Sequence, residues 1–119
     1  MAVAIRRRFK TAFSKCIHLK ASILIVEGLN LKEEVPLWAL DVGGKKIARQ
    51  FVFSDFRQAF AFMTLCAQYA EEMNHHPDWS NSWNTVKVEL TTHSADALTK
   101  LDIQLAKAMD AFASQVSQC

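Results

Sequence analysis

The run Glu71-Glu72-Met73-Asn74-His75-His76-Pro77-Asp78-Trp79 gathers residue types able to move protons beside a flat ligand. Histidine is the one side chain whose unperturbed pKa, ~6.5, lets it both give and take a proton near neutral pH. Two histidines are adjacent here, where Pro77 disfavours helical geometry and so ends a helix. Glu71 lies four residues before His75. On a continuous helix the two share a face, and the carboxylate orients the imidazole. Trp79 is either an aromatic platform for a ligand or a residue at the rim of the core. His93 is the remaining histidine of the C-terminal two-thirds of the chain, whereas His18 reads as structural or solvated.

His75, His76 and His93 are therefore the candidate acid–base groups. Imidazolium serves as acid and imidazole as base, so the chemistry requires neither a metal nor an organic cofactor. A zinc site is the rival reading, with Glu71, His75 and His93 as ligand types. Adjacent histidines usually point apart and no further ligand motif is present, so no metal is expected.

These residues need a frame. A chain of 119 residues is enough for one domain with its own core. Its apolar fraction is 50% and its charged fraction 22%, ordinary for a globular domain, and no membrane-spanning stretch is expected. Cys16, Cys66 and Cys119 are odd in number and widely spaced, which argues against a disulfide framework and for a reducing compartment. Residues 1–26 hold six cations and no acid, while 27–119 hold eight cations against twelve acids. We expect 1–26 to be a basic extension or first helix and 27–119 the functional domain. A cytoplasmic protein is the expectation, or an organellar one if the basic segment is a transit peptide. Nucleic-acid binding is disfavoured, because the basic block carries little aromatic interleaving and the remainder is acidic.

Apolar spacing at Ile5, Phe9, Phe13, Ile17, Ala21 and Leu24 predicts a helix over 5–24. Residues 37–41 and 46–53 predict a hairpin around Gly43-Gly44, with Ile47, Arg49, Phe51 and Phe53 on one face. Ser54-Asp55 offers an N-cap to a helix that ends near His75. Its Phe56, Phe60, Met63, Ala67 and Ala70 stripe, widened by Ala59 and Cys66, is expected to be core, as are Phe51, Phe53, Phe62 and Trp83. A short strand within 78–82 is allowed, and Val86, Val88 and Leu90 mark a strand over 83–91. A last helix begins near Thr99, where Thr99-Lys100-Leu101-Asp102 resembles a capping box, so Asp102 reads as a cap. The order gives an α+β fold, an antiparallel sheet with helices on one face and an exposed edge that a second copy would cover.

The spaced set Glu71-x3-His75-His76-Pro77-x5-Trp83-x9-His93-x8-Asp102 resembles the signature of the pterin-4a-carbinolamine dehydratases. The likeness runs from about Gly44 to Asp110 and includes Phe51-Val52-Phe53-Ser54-Asp55-Phe56, Ala59-Phe60-Ala61-Phe62-Met63 and Thr91-Thr92-His93. Residues 1–37 depart from it: Leu37-Trp38 stands where the family has Gly-Trp, and the upstream segment is basic. Asn74 stands where many members have Asp.

The resemblance implies a four-stranded antiparallel sheet with three helices packed on one face, a β-β-α-β-β-α core preceded by an N-terminal helix. It implies homodimers, often paired into tetramers. It also implies removal of water from the 4a-hydroxytetrahydropterin released by aromatic amino acid hydroxylases, giving quinonoid dihydropterin in tetrahydrobiopterin recycling. His75, His76 and His93 would be catalytic, Glu71, Trp79, Thr91 and Thr92 would contact substrate, and Asp102 would support them. The alternative is a non-catalytic dimerisation or coactivator module that binds a protein partner through its helices.

Overall fold

The computed structural model describes residues 31–117. The helix expected over 5–24, and the extension assigned to 1–26, lie outside the described residues. The elements are α1 (Leu31–Glu34), β1 (Ala39–Leu40), β2 (Ile47–Val52), α2 (Phe56–Met73), β3 (Asp78–Ser82), β4 (Thr85–Leu90) and α3 (Lys100–Ser117). All strand pairs are antiparallel, and the order across the sheet is β1-β2-β4-β3. No helix among the described residues is long and apolar enough to cross a membrane.

The alternation of β2 and β4 sets the two faces of the sheet. Ile47 pairs with Leu90, Arg49 with Val88 and Phe51 with Val86, so these six share one face. All but Arg49 are buried there under α2 and α3. Gln50, Val52, Lys87 and Glu89 alternate with them and face outward, exposed. The architecture is the expected α+β one, with helices on a single face of a four-stranded antiparallel sheet. Arg49 is tolerated on the buried side because its guanidinium bonds Asp110 of α3 and lies 4.2 Å over the Phe51 ring. Trp38 Nε1 donates to the same Asp110 oxygen at 2.9 Å, which fastens the entry of β1 to α3.

The turn between β1 and β2 follows the glycine signal. Gly44 has φ 74°, and its N–H donates to Asp41 O at 3.0 Å. The first strand is shorter than the 37–41 expected, because only Ala39 and Leu40 find partners on β2. Asp55 caps α2 as anticipated, its Oδ1 accepting from Gln58 N at 2.9 Å.

Two expectations about packing are corrected. The buried stripe of α2 is Ala59, Phe62, Cys66, Tyr69, Ala70 and Met73. Phe56 and Phe60, expected in the core, are exposed (46% and 57%) and stack on each other at 5.6 Å. The helix carries two apolar stripes about 100° apart around its axis. The one that docks is the one whose Phe62 meets Phe51 and Phe53 of the sheet, at ring separations of 4.6 and 5.0 Å. Trp83, also expected in the core, is 64% exposed. The pairing of Ser82 with Thr85 leaves Trp83 and Asn84 as the turn, and Trp83 takes φ 50° there. That conformation is costly for a bulky residue. It is held by Asn81 Nδ2, which donates to Trp83 O and Thr85 O at 3.1 and 2.9 Å.

Cys66 is fully buried, and that burial pushes its thiol well above the ordinary value of 9.0. Packing of this kind fixes where mutations hurt. Phe62→Ala should cost about 3–5 kcal/mol in urea unfolding, whereas Phe60→Ala should change stability by no more than about 0.5 kcal/mol. Equal losses for the two would contradict this assignment of faces.

Candidate active site

α2 does not run on to His75. Asn74 adopts the left-handed conformation (φ 53°, ψ 44°), which Asn tolerates better than most residues. The His75 N–H then donates to Ala70 O at 3.0 Å, closing the helix end. This left-handed step swings His75 off the helix surface and inward, where it is 9% exposed. The expected Glu71–His75 pairing is therefore corrected, since four-residue spacing holds only while the helix continues. Glu71 Oε2 instead lies 2.7 Å from His76 Nε2, on the exposed side.

The partner of His75 is Asp102, which is fully buried. Its Oδ1 lies 2.6 Å from His75 Nε2. Its Oδ2 accepts from Thr99 N at 3.0 Å and from Thr92 Oγ1 at 2.8 Å. The Thr99 bond is the capping box read in the sequence, so Asp102 is a cap as expected. The His75 and Thr92 bonds are additional. Thr92 gives its only hydroxyl proton to the carboxylate, so Thr99 Oγ1, 2.7 Å away, is the donor to Thr92 Oγ1. Thr99 Oγ1 in turn accepts from Leu101 N at 3.3 Å. The first turn of α3, the end of β4 and the end of α2 thus meet on one carboxylate. The site lies in the first turn of α3, where the helix dipole favours negative charge.

His93 directly follows Thr92, three residues beyond the end of β4, and is exposed. Its Nε2 lies 3.3 Å from Asp78 Oδ2. Asp78 opens β3, two residues after His76, so all three histidines collect around the segment 75–78. The 92–97 loop that carries His93 is closed by Thr92 N donating to Ala97 O (3.1 Å) and Asp96 N donating to His93 O (3.1 Å). Asp96 is bonded by Lys45 Nζ at 2.8 Å, which holds its carboxyl below the ordinary range, with His93 adding to the effect. The same bond raises Lys45. Both main-chain groups of Thr92 are taken within this loop, and Thr91 Oγ1 donates to Lys45 O at 2.6 Å. Trp79 stands on the helix-covered face opposite Val88, half-buried against the core.

The arrangement is three imidazoles, each with Nε2 on its own carboxylate. A carboxylate partner fixes the tautomer, with the proton on Nε2 and the lone pair on Nδ1. Nδ1 is then the nitrogen left to exchange protons with a ligand. Among the described residues no group of three or more His, Cys, Asp or Glu is placed to hold a metal ion. Glu71, His75 and His93, the rival zinc ligands, each face a different partner instead. Asp78 was missed in the sequence although it lies within the opening run. Its signal was positional: an acid starting a strand that runs antiparallel to β4, which leads three residues later to His93.

Comparison with known proteins places this chain in a family. Residues 22–112 match the family model described as pterin 4 alpha carbinolamine dehydratase. A Chelativorans sp. (strain BNC1) relative, provisionally named pterin-4-alpha-carbinolamine dehydratase, is 51% identical over 82 residues, covering 69% of this chain and 84% of its own. One from Mesorhizobium japonicum with the same provisional name is 56% identical over 73 residues, covering 61% and 74%. A crystal structure described as a transcriptional coactivator/pterin dehydratase from Brucella melitensis is 40% identical, with a TM-score of 0.70 over 76% of this chain and 99% of that one. A pterin dehydratase-like protein identified as a RuBisCO assembly factor in the alpha-carboxysome shares the fold, at 23% identity and a TM-score of 0.57 over 64% and 88%. The chain belongs to the pterin carbinolamine dehydratase family, a family of hydro-lyases.

Asp102→Ala should destabilise the protein by about 3 kcal/mol or more, because Thr99 N–H, Thr92 hydroxyl and His75 all lose their acceptor. Glu71→Ala, on an exposed pair, should stay within about 0.5 kcal/mol. Urea melts of the two variants check both values.

Proposed function

We propose that the protein removes water from a 4a-hydroxytetrahydropterin to give the quinonoid dihydropterin, using His75, His76 and His93 for proton transfer. The observation that carries this reading is the set of three carboxylate-held imidazoles around residues 75–78. The substrate bears a hydroxyl on a ring carbon beside a ring N–H. Hydroxide is a poor leaving group, so an imidazolium gives a proton to that oxygen as the C–O bond breaks, and water departs. An imidazole takes the proton from the nitrogen, whose electron pair forms the new C=N bond. One proton is given and one taken, so the enzyme needs no net proton and no redox partner.

Asp102 acts as a positioning residue through His75. Glu71 stands behind His76, and Thr92 supports Asp102. Thr91 borders the His93 loop, where the flat pyrimidine edge would bond. Trp79 would contact the pterin from the rim of the core. In the cell the substrate would come from an aromatic amino acid hydroxylase, within tetrahydrobiopterin recycling. The outer edge of β3 lacks a strand partner among the described residues, and we propose that it pairs with a second copy in a homodimer, itself able to form tetramers.

A second reading has its own support. The exposed Phe56–Phe60 stack gives α2 an apolar surface, and the Brucella melitensis relative is described as a coactivator as well as a dehydratase. A protein partner bound through the helices would need the fold and not the histidines.

Alanine at His75, His76 or His93 should each lower carbinolamine dehydration, measured above the spontaneous rate, by about 10²-fold or more. Wild-type turnover in all three variants would sink the catalytic assignment. Partner capture that survives His75→Ala and fails in Phe60→Ala would support the second reading. Light scattering of the pure protein should report a dimer or larger.

A further inference from the structure

The loop that presents His93 is thinly held. His93, Ser94, Ala95 and Asp96 are four exposed residues in a row, between buried Thr92 and half-buried Ala97. Their main-chain bonds close a tight turn, with Ala95 N and Asp96 N donating to Thr92 O and His93 O at 3.0 and 3.1 Å. Among the described residues, the polar side-chain contacts of these four with the rest of the molecule are His93 to Asp78 and Asp96 to Lys45. The first is long, at 3.3 Å, and the His93 side chain is 78% exposed, so it does little to fix the loop.

Lys45 is the firmer end. Ile47 and Leu90 close the ladder of β2 and β4, so the residues just before β2 lie beside those just after β4. Lys45 uses its N–H, its carbonyl and its ammonium there. The N–H donates to Asp41 Oδ1 at 3.1 Å, the carbonyl accepts from Thr91 Oγ1 at 2.6 Å, and Nζ donates to Asp96 Oδ2 at 2.8 Å. Asp41 Oδ1 also accepts from Lys46 N at 3.2 Å, which braces the turn that carries Lys45. Asp96 reaches Lys45 from a left-handed conformation, φ 51°, which Asp tolerates. Its carboxyl is lowered first by the Lys45 bond and further by the charge of His93. With its charge answered by Lys45, Asp96 does not compete with Asp78 for the imidazole.

We propose that Lys45 is a positioning residue for the dehydration: its ammonium clasps Asp96, holds the 92–97 loop against the turn between β1 and β2, and so keeps His93 on Asp78. The proposal rests on the reading of His93 as a proton-transfer group. Lys45 touches no reacting atom and acts through the loop alone. A loosened loop withdraws an acid–base group and leaves His75 and His76 in place, so the loss falls on kcat and not on KM.

The test measures dehydration above the spontaneous rate. Lys45→Met should lower kcat about three-fold with KM unchanged, the scale of an exposed ion pair. Lys45→Arg should restore it. Lys45→Met should have no effect in a chain that already carries Asp96→Asn. Raising the ionic strength from about 0.02 to about 0.5 M should close the gap between wild type and Lys45→Met. Lys107→Met removes another exposed ion pair, with Glu34, and should leave kcat unchanged. Wild-type kcat in Lys45→Met, a loss that Lys107→Met reproduces, an undiminished loss in the Asp96→Asn background, or a gap indifferent to salt would each overturn the proposal. The loop is also read without turnover, since amide exchange at Ala95, Asp96 and Ala97 should be about three-fold faster in Lys45→Met than in wild type. If wild type dehydrates nothing, the histidine reading falls by itself and exchange decides the clasp. Faster exchange in Lys45→Met then supports it, and equal exchange overturns it.

Discussion

The carboxylate of Asp102 is the contact on which the site is built. It has no solvent exposure, yet it bonds His75 from the end of α2, Thr92 from beyond β4 and Thr99 at the start of α3. A buried carboxylate is costly unless its lone pairs are satisfied and a positive field faces it. Here one oxygen takes the imidazole and the other takes a hydroxyl and a main-chain N–H. The N-terminal turn of α3 supplies the field. Stability and placement of the histidine are the same interaction, so neither can be changed without the other.

That coupling explains the surrounding local structure. Asn74 must take a left-handed turn, because a continuing helix would carry His75 past Asp102 along the surface of α2. Pro77 then keeps His76 extended and delivers Asp78 to the start of β3. Antiparallel pairing of β3 with β4 sets Asp78 against Glu89, and four residues beyond Glu89 the chain reaches His93. Each step is short and fixed by backbone preference. The result is that three histidines from two distant parts of the sequence meet without a long loop.

Much of this was legible in the sequence, and the failures share a cause. The hairpin, the α2 cap, the alternation of β2 and β4 and the Thr99–Asp102 box are local patterns, and the structure follows them. The histidine cluster was legible as spacing. What spacing could not give was direction. Glu71 and His75 share a face only if the helix continues, and the αL turn at Asn74 decides otherwise. The two apolar stripes of α2 are equally good by periodicity, and only the ring contacts of Phe62 with Phe51 and Phe53 choose between them. Trp83 reads as core by residue type, yet strand register leaves it in a turn. In each case a tertiary contact overrode a pattern that was ambiguous by itself.

The three imidazole–carboxylate pairs differ in one physical respect, and the difference matters for proton transfer. His75–Asp102 is buried, so its geometry is fixed and poorly screened. His76–Glu71 and His93–Asp78 are exposed, so water and salt screen them and their protons exchange readily with solvent. A dehydration that gives one proton and takes another leaves its acid and base exchanged after every turnover. Resetting them requires a path to water. In the proposed mechanism one rigid imidazole would define the approach of the substrate and two solvent-linked ones beside it would meet that requirement, whereas three buried pairs would hold their protons and three exposed ones would define no geometry.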